Sequence, residues 1–357
     1  MARPAFKNAP RNPYNALLYA AVRDQGGEVA EYDSFGLLRG PWDILHIHWP
    51  ESLLETGSIL HARWSAGKYL ALIDLARRRG TRVVWTIHDL KPHDLVYPAI
   101  ETRFWDAVLA RVDGLIALTE TGLARAIARF PALAGLPAFV IPHGHYRGHY
   151  PNSISRADAR ARLGLPAAAR VITYFGQIRP YKNVPRLIEA VRQIADPDIC
   201  LQIAGRLSKR VDMRQSLIEA AAGDPRIRLV LGFVEDAEVQ LFLNSANLLV
   251  FPYQDILNSG SALLGLSFDR PVLVPDLGAM AELQRAVGPA WVRTYAGDLD
   301  GATLVGALAW ATGIDRAATA PLAAFDWAGI ARDTLAAFAA IAARPPATPA
   351  TLARAPA

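Results

Sequence analysis

The sequence predicts an α/β protein made of two doubly wound, Rossmann-like parallel sheets in series. Short β-branched and aromatic runs alternate with helical stretches; Ile44–His48, Val83–His88 and Val171–Phe175 are the clearest of these runs. The alternation stops at about Asn152, where the composition changes, and restarts near Ala167. With 357 residues and 52% hydrophobic content, the chain is long enough for two domains with sizeable cores.

Taken in order, Asn12–Arg23 reads as a helix opened by Asn12-Pro13, although the strand that should precede it is poorly marked. Strands are expected at Trp42–Trp49, Thr81–His88, Leu115–Leu118 and Ala138–Ile141, with helices at Ile59–Arg79, Glu101–Arg111 and Glu120–Phe130 between them. Such an alternation gives a parallel sheet covered on both faces. In the second half, strands are expected from Val171, Ile199, Ile227, Leu248 and Pro271, with helices interleaved. Phe325-Asp326-Trp327 opens a last helix that runs to about Ala342. The expected division is a first domain over 1–151, a linker over 152–166, a second domain over 167–324 and a closing helix over 325–343. The Pro-, Ala- and Thr-rich tail 344–357 is expected to be disordered.

Composition excludes several classes of function. A net charge of +5 and a pI near 9.4 suit phosphate ligands or an anionic membrane surface. The excess is scattered, and no zinc-ligand spacing, recognition helix or RNA-binding aromatic motif accompanies it, so no nucleic acid is expected. No run of about 18 uncharged apolar residues occurs, and the start lacks the apolar centre of a secretory signal; both predict a cytoplasmic protein. The one cysteine, Cys200, sits in an apolar strand and reads as a buried structural thiol. No three candidate ligands have a metal-site spacing, so no metal or other cofactor is expected. A nicotinamide enzyme is disfavoured, since no G-x-G-x-x-G follows an N-terminal strand.

Two stretches of the second half have the chemistry to hold an anion. After the strand Val171–Phe175, Gly176 opens a loop in which Arg179 and Lys182 flank Pro180-Tyr181, and Pro185 is placed for the first turn of a helix. The order strand, basic loop, helix puts two cations and a helix N-terminus at the carboxyl end of a strand, where open α/β sheets bind anionic ligands. A diphosphate is the natural guest, although solvated loop charges would look the same. The stretch from Phe251 through Tyr253 to Asn258, Ser259, Gly260 and Ser261 repeats the pattern, with Asn258 or Ser259 as N-cap and glycine permitting close approach.

In the first half, polar and aromatic side chains gather where strands end: His48, Trp49 and Glu51; His88 and Asp89; His143, His145 and Tyr146. Such ends line the crevice of doubly wound folds. His46 and His48 occupy alternate strand positions and so share a face, where hydrogen-bonded core histidines are the plainer alternative.

Taken together, the IRPYKN loop, the FVED segment at Phe233–Asp236, the PYQDILNSGSALLGLSFDRPVLVP stretch and the closing Asp-Trp helix resemble GT-B glycosyltransferases. More narrowly, ILHIHWPE, TIHDLKPHD, IPHGHYR and NSGS followed by RPVL are similar to the bacterial β-mannosyltransferases of xanthan assembly. The resemblance runs from about Asn12 to Ala339. It implies a C-terminal helix returning to the first domain, a nucleotide-sugar donor (GDP-mannose) on the second domain and a glycolipid or oligosaccharide acceptor on the first. Arg179 and Lys182 would then neutralise the donor pyrophosphate, Gly205 would let the nucleotide approach the backbone, and Phe233 and Val234 would border its base. Asn258–Ser261 would meet phosphate, ribose or sugar, and His48, Trp49, His143, His145 and Tyr146 the sugar or acceptor. The chain departs from the retaining families, whose helix carries an E-x7-E pattern, because Ile256 and Leu264 stand at those two positions. Inversion is therefore expected, with a base drawn from Glu51, Asp89, His88 and His145. Glu51 is favoured for its rigid Trp-Pro context, and His88 is assigned to a sugar hydroxyl. A UDP-sugar donor (glucosyl or glucuronosyl) and a nucleotide-sugar-binding protein without turnover are the alternatives. The Ile59–Arg79 helix, with Trp64, Tyr69, Lys68 and Arg77–Arg79, suits either an anionic leaflet on the inner membrane face or a crossover packed on the sheet.

Overall fold

The computed structural model describes residues 1–54, 56–90, 97–208, 211–314 and 318–346. The chain divides into two compact units, one formed by Met1–Gly144 with Phe325–Ala357 and the other by His145–Ala324.

The first unit runs β1 (Ala2–Arg3), α1 (Tyr14–Asp24), α2 (Ser34–Arg39), β2 (Ile44–Ile47), α3 (Ile59–Arg78), β3 (Arg82–Ile87), α4 (Pro98–Leu109), β4 (Gly114–Ala117), α5 (Glu120–Arg129) and β5 (Ala138–Val140). Among the described residues these strands form one parallel sheet in the order β1-β2-β3-β4-β5. The strand that the sequence marked poorly is β1: two residues, Ala2 and Arg3, in register with His46 and Ile47. Two residues carry too little periodicity to be read, and it is this pairing that fixes them.

The second unit runs α6 (Arg156–Arg162), β6 (Arg170–Phe175), α7 (Val184–Arg192), β7 (Ile199–Ala204), α8 (Arg214–Ala221), β8 (Ile227–Val230), α9 (Val239–Ser245), β9 (Leu248–Val250), α10 (Gly260–Ser267), β10 (Val272–Pro275), α11 (Met280–Val287), β11 (Val292–Tyr295) and α12 (Gly301–Thr312). Its sheet is ordered β11-β10-β9-β6-β7-β8, all parallel, so the strand order reverses beside β6. Parallel neighbours need a crossover, and helices supply it. The elements α11, β11 and α12 went unread in the sequence.

The segment 152–166 is not a linker. Gln240 Oε1 accepts the backbone N–H groups of Ser153 and Ile154, and Asn244 Nδ2 donates to the Ile154 carbonyl. Within α6, the buried Arg160 donates to the carbonyls of Ser245 and Ala167 and to Asn247 Oδ1, which also accepts from Val171 N. A polar, arginine-rich stretch reads as solvated, but Arg160 satisfies the buried Ser245 carbonyl and Asn247 Oδ1 and so binds the segment to the second unit. The unit begins at His145 instead of after the expected linker.

After α12 the chain enters α13 (Trp327–Ala342), capped by Asp326, whose carboxylate accepts from Ala328 N at 3.0 Å. This helix returns to the first unit and packs on α1. Ile330, Ala331, Ala337 and Ile341 join Leu18, Val22, Val84 and Ile116 in one buried cluster. Gly114 has no room for a Cβ because the Ile341 side chain fills that space. The tail expected to be disordered lies, from residue 347, outside the described residues. Ile341 is 1% exposed, so Ile341→Ala should lower the unfolding free energy by about 2–5 kcal/mol. Denaturant unfolding checks this, and an unchanged midpoint would mean that α13 contributes nothing to the first unit's stability.

Candidate active site

In the first unit, the carboxyl ends of β2 and β3 carry the polar cluster. Trp49 follows β2 and stacks on the His88 ring, with centroids 4.2 Å apart and planes 21° from parallel. Glu51 occupies the first turn of a short 3-10 helix, Pro50–Leu54, where the helix dipole favours a carboxylate. Asp89 follows His88 and acts on it electrostatically, favouring its charged form. Trp49, Glu51 and Asp89 are half-buried, while His88 is 7% exposed. The strand ends thus bring together an aromatic face, an imidazole and two carboxylates.

His48 lies beneath this cluster and is 1% exposed. Both of its ring nitrogens are engaged, Nε2 with the Tyr19 hydroxyl at 2.6 Å and Nδ1 with His88 Nε2 at 2.9 Å. Both nitrogens of this residue, expected at the sugar, are therefore spent on partners inside the unit. His46 shares its face, as the strand alternation predicts, and pairs with Tyr19 and Thr86. His143 is buried among Tyr14 and Trp327, with its Nδ1–H donating to the Gly144 carbonyl at 2.7 Å. Gly144 itself is closed to any Cβ by the Trp327 indole. His145 and Tyr146 belong to the second unit. Tyr146 is buried there, and its N–H donates to Ser267 Oγ at 2.9 Å. Tyr14, Tyr19, Thr86 and Trp327 escaped the sequence reading, since residues inside a helix or a strand give no local signal of what they meet across the fold.

In the second unit the two stretches expected to hold an anion are joined. The Gln254 N–H donates to the Tyr181 carbonyl at 2.9 Å, tying the loop after β9 to the basic loop after β6. Arg179 and Lys182 are both half-buried, Arg179 preceding the 3-10 turn Pro180–Lys182 and Lys182 closing it, and Lys182 Nζ lies 5.5 Å from the Tyr253 ring centroid. Asn183 ends that turn at φ 53°, a left-handed conformation that asparagine tolerates, and starts α7. Ser259, not Asn258, is the N-cap of α10. Its Oγ accepts from Ala262 N at 3.1 Å and pairs with the Tyr253 hydroxyl at 2.8 Å, so the buried Tyr253 braces the cap. The first turn at Gly260 and Ser261 presents N–H groups that no preceding helical carbonyl can satisfy.

Gly176 (φ 133°) approaches this turn closely, and a Cβ there would lie 2.5 Å from Ser261 Oγ. A Cβ on Gly205 would run into the Gly176 carbonyl. The two glycines thus let the loops after β6 and β7 meet, a structural reason for Gly205 that precedes any ligand. Phe233 is 53% exposed after β8, whereas the Val234 side chain turns into the core. Leu264 is buried within α10 and Ile256 is half-buried before it, so both positions of the missing acidic pattern are apolar. Among the described residues no group of three metal-ligating side chains is assembled.

Residues 169–298 match the model of the family described as glycosyl transferases group 1. Over 325 residues, 90% of this chain and 86% of the relative, the sequence is 34% identical to the GDP-mannose:glycolipid 4-beta-D-mannosyltransferase of Xanthomonas campestris pv. campestris. The chain belongs to the group 1 glycosyltransferases. A D-inositol 3-phosphate glycosyltransferase of Thermobispora bispora is more distant, at 28% over 61% of the chain and 47% of that protein. The GT-B fold is shared with Anabaena HepE, solved with UDP and glucose (TM-score 0.58, 17% identity, 95% of this chain and 83% of that one). Sucrose-phosphate synthase from Thermosynechococcus elongatus is similar in the same way (TM-score 0.55, 18% identity, 93% and 76%).

The buried histidines of the glycosyltransferase's first unit make its stability depend on pH. Burial lowers His46 to about 3 and His143 to about 4, and holds His48 and His88 well below the ordinary imidazole value. Neutral in the folded state, they take up protons on unfolding once the pH falls below about 6.5. Their contribution is complete above that value and is lost as the pH falls, by up to about 1.4 kcal/mol per histidine per pH unit. Denaturant unfolding at about pH 7.5 and pH 5.5 should show the loss. Equal stability at both would mean that the imidazoles are charged or solvated in the folded protein.

Proposed function

We propose that the enzyme transfers mannose from GDP-mannose, with inversion to a β-linkage, onto a lipid-linked or similar oligosaccharide of bacterial polysaccharide assembly. The observation that carries this reading is the 34% identity to a GDP-mannose-dependent glycolipid mannosyltransferase, spread over nine-tenths of the chain. The site chemistry agrees with it. The donor diphosphate sits against Arg179, Lys182 and the first turn of α10, three sources of positive potential on loops tied by the Gln254–Tyr181 hydrogen bond. The apolar Ile256 and Leu264 remove the carboxylate pair expected of retaining relatives.

In the proposed reaction a carboxylate on the first unit, Glu51, with Asp89 beside His88 as the other acid at hand, takes the acceptor hydroxyl proton. The acceptor oxygen attacks the anomeric carbon, and the bond to the donor phosphate breaks with its electron pair going to GDP. Arg179 and Lys182 stabilise the charge that develops on the leaving diphosphate, so the residues themselves supply the electrostatic assistance. Trp49 and His88 face the sugar.

For a lipid-linked acceptor, α3 supplies a surface. Its carboxyl end is occupied structurally: Arg77 pairs with the buried Asp113 at 2.7 Å, and Arg79 donates to the Leu38 carbonyl. The amino-terminal half is different. Leu60 is 74% and Trp64 63% exposed, Ile59 is half-exposed, and Lys68 lies over the Trp64 ring at 5.1 Å. Exposed apolar side chains interleaved with cations suit the anionic face of a bilayer. Among the described residues no helix is long and apolar enough to cross one.

Thermal unfolding with GDP and UDP at matched concentration tests the donor. At about 100 times its Kd the true nucleotide stabilises the fold by about 2.7 kcal/mol. GDP should shift the midpoint and UDP should not; the reverse would assign a UDP-sugar. Arg179→Ala and Lys182→Ala should each weaken GDP binding roughly 10- to 100-fold, and unchanged affinity in both would remove the diphosphate from this loop. Glu51→Gln keeps the shape but cannot take a proton. It should cost about 10²–10⁴ in kcat while GDP affinity holds, and wild-type turnover would move the base to another residue.

A further inference from the structure

A half-buried cation at the carboxyl end of β1 has no counter-charge. Arg3 is the last residue of that strand, and its guanidinium lies over two tyrosine rings, 5.1 Å from the centroids of Tyr32 and of Tyr69 in α3. Stacking of this kind holds the planar group by its faces and leaves the N–H donors in its plane uncommitted. The Nε is buried without an acceptor, and among the described residues no hydrogen bond or ion pair ends on the guanidinium. The acids on either side of Tyr32 are engaged elsewhere. Glu31 accepts from the N–H groups of Ala5, Phe6 and Lys7, and Asp33 accepts from those of Phe35 and Gly36 at the start of α2. In the same unit the half-buried Arg77, Arg82 and Arg111 each donate to a carboxylate or a carbonyl, so Arg3 departs from the local rule.

Tyr69 adds a second unspent donor. It is 2% exposed, and its hydroxyl has no partner among the described residues. A guanidinium can only donate, and a charge held partly out of water is costly to leave unpaired. The partner that suits this pair of groups is therefore an acceptor with negative charge. A phosphate qualifies, since it presents several acceptor oxygens and takes two parallel N–H bonds from one arginine.

Position narrows the choice. Arg3 is in register with Ile47, and the two share the sheet face covered by α3, opposite the face on which Tyr19 meets His46 and His48. Trp49 follows two residues after Ile47, so strand spacing and rise put the Cα atoms of Arg3 and Trp49 roughly 8 Å apart, about the span of one or two sugar rings. In α3, Tyr69 comes five residues after Trp64, about 8 Å along the helix axis. Leu60 and Trp64 form the exposed apolar surface described above. The unpaired cation thus has the aromatic sugar site and an apolar surface both within reach of one molecule. A lipid-linked glycan presents the matching groups: sugar, phosphate, lipid.

We propose that Arg3, with the Tyr69 hydroxyl, binds the phosphate through which the acceptor glycan is joined to its lipid. This rests on the reading above that the acceptor is lipid-linked and held by the first unit. The contact is made away from the reacting atoms and is the same before and during transfer, so it acts on acceptor affinity and leaves the chemical step alone. It also lets the enzyme prefer a phosphate-linked glycan over the same glycan free in solution.

Calorimetry of the full chain with a short prenyl diphosphate reads the site without turnover, provided the second unit's diphosphate site is first filled with saturating GDP or UDP, whichever binds. The protein should bind the prenyl diphosphate and ignore the matching prenyl alcohol. Arg3→Gln keeps the stem but removes the charge and should weaken binding roughly 10- to 100-fold. Tyr69→Phe should weaken it less, and Arg3→Lys should recover part of the loss. No binding by the wild-type chain, or equal binding by Arg3→Gln, overturns the proposal. With a lipid-diphosphate-linked glycan in neutral detergent, Arg3→Gln should raise KM by the same factor at unchanged kcat and GDP affinity. An acceptor with an uncharged linker should not tell the variant from the wild type, and an equal loss with both acceptors would reduce Arg3 to a structural role. Co-sedimentation with phosphatidylglycerol vesicles separates the other source of phosphate. If Arg3→Gln loses the vesicles but keeps the prenyl diphosphate, the anion is a bilayer headgroup and the acceptor assignment falls. If Arg3→Gln fails to fold, Tyr69→Phe supplies the comparison. Arg3-dependent binding of the prenyl diphosphate, without transfer to any lipid-linked glycan, would overturn the functional reading and leave the anion site standing.

Discussion

A parallel sheet delivers the carboxyl end of every strand to the same edge, and in each unit the candidate site lies on that edge. Pairing β2 with β3 in register, His46 opposite Val84 and Ile47 opposite Trp85, brings His48 and His88, one and three residues beyond the last pair, together past the ends of adjacent strands. Pairing β6 with β7, Phe175 opposite Ala204, does the same for Gly176 and Gly205. A slip of one residue would turn the side chains to the other face and separate these pairs. The hydrophobic cores exist to hold that register: the strands are buried on both faces, so their apolar runs fix which residues face which.

The two edges use the placement differently. The second unit spends it on backbone. Two glycines let neighbouring loops meet, a capped helix start directs N–H groups outward, and a hydrogen bond from Gln254 to Tyr181 fastens the basic loop to that helix start. Positive potential is obtained from geometry as much as from side-chain charge, which suits a ligand recognised by its phosphates. The first unit spends it on side chains. Aromatic rings and imidazoles fill the space below the strand ends, and the carboxylates Glu51 and Asp89 stay half-buried above.

The closing helix explains why the first unit is built from both ends of the chain. Trp327 fills the space beside Gly144 and stands against Tyr14, while Ile341 fills the space at Gly114. The aromatic cluster around His143 therefore cannot form until residues more than 180 positions apart have met.

The sequence by itself determined the α/β class, most strands to within a residue or two, the basic loop, the serine-glycine helix start and the missing acidic pair, because each is written in local periodicity or in a short run of residues. Its resemblance to glycosyltransferases carried the family. What it misread shares one cause. The segment 152–166 looked like a linker because arginine-rich stretches read as solvated, and only the tertiary structure shows Arg160 donating to the buried Ser245 carbonyl and Asn247 side chain. His48 looked like a crevice residue because a histidine at a strand end is exposed in one fold and buried in another, depending on which helix lies beneath it. Here that helix is α1, whose Tyr19 takes one histidine nitrogen from each of two strand positions. Which rings meet beneath the strand ends depends on atoms drawn from three separate segments, α1 and the ends of β2 and β3, a relation that no local pattern encodes and only packing creates.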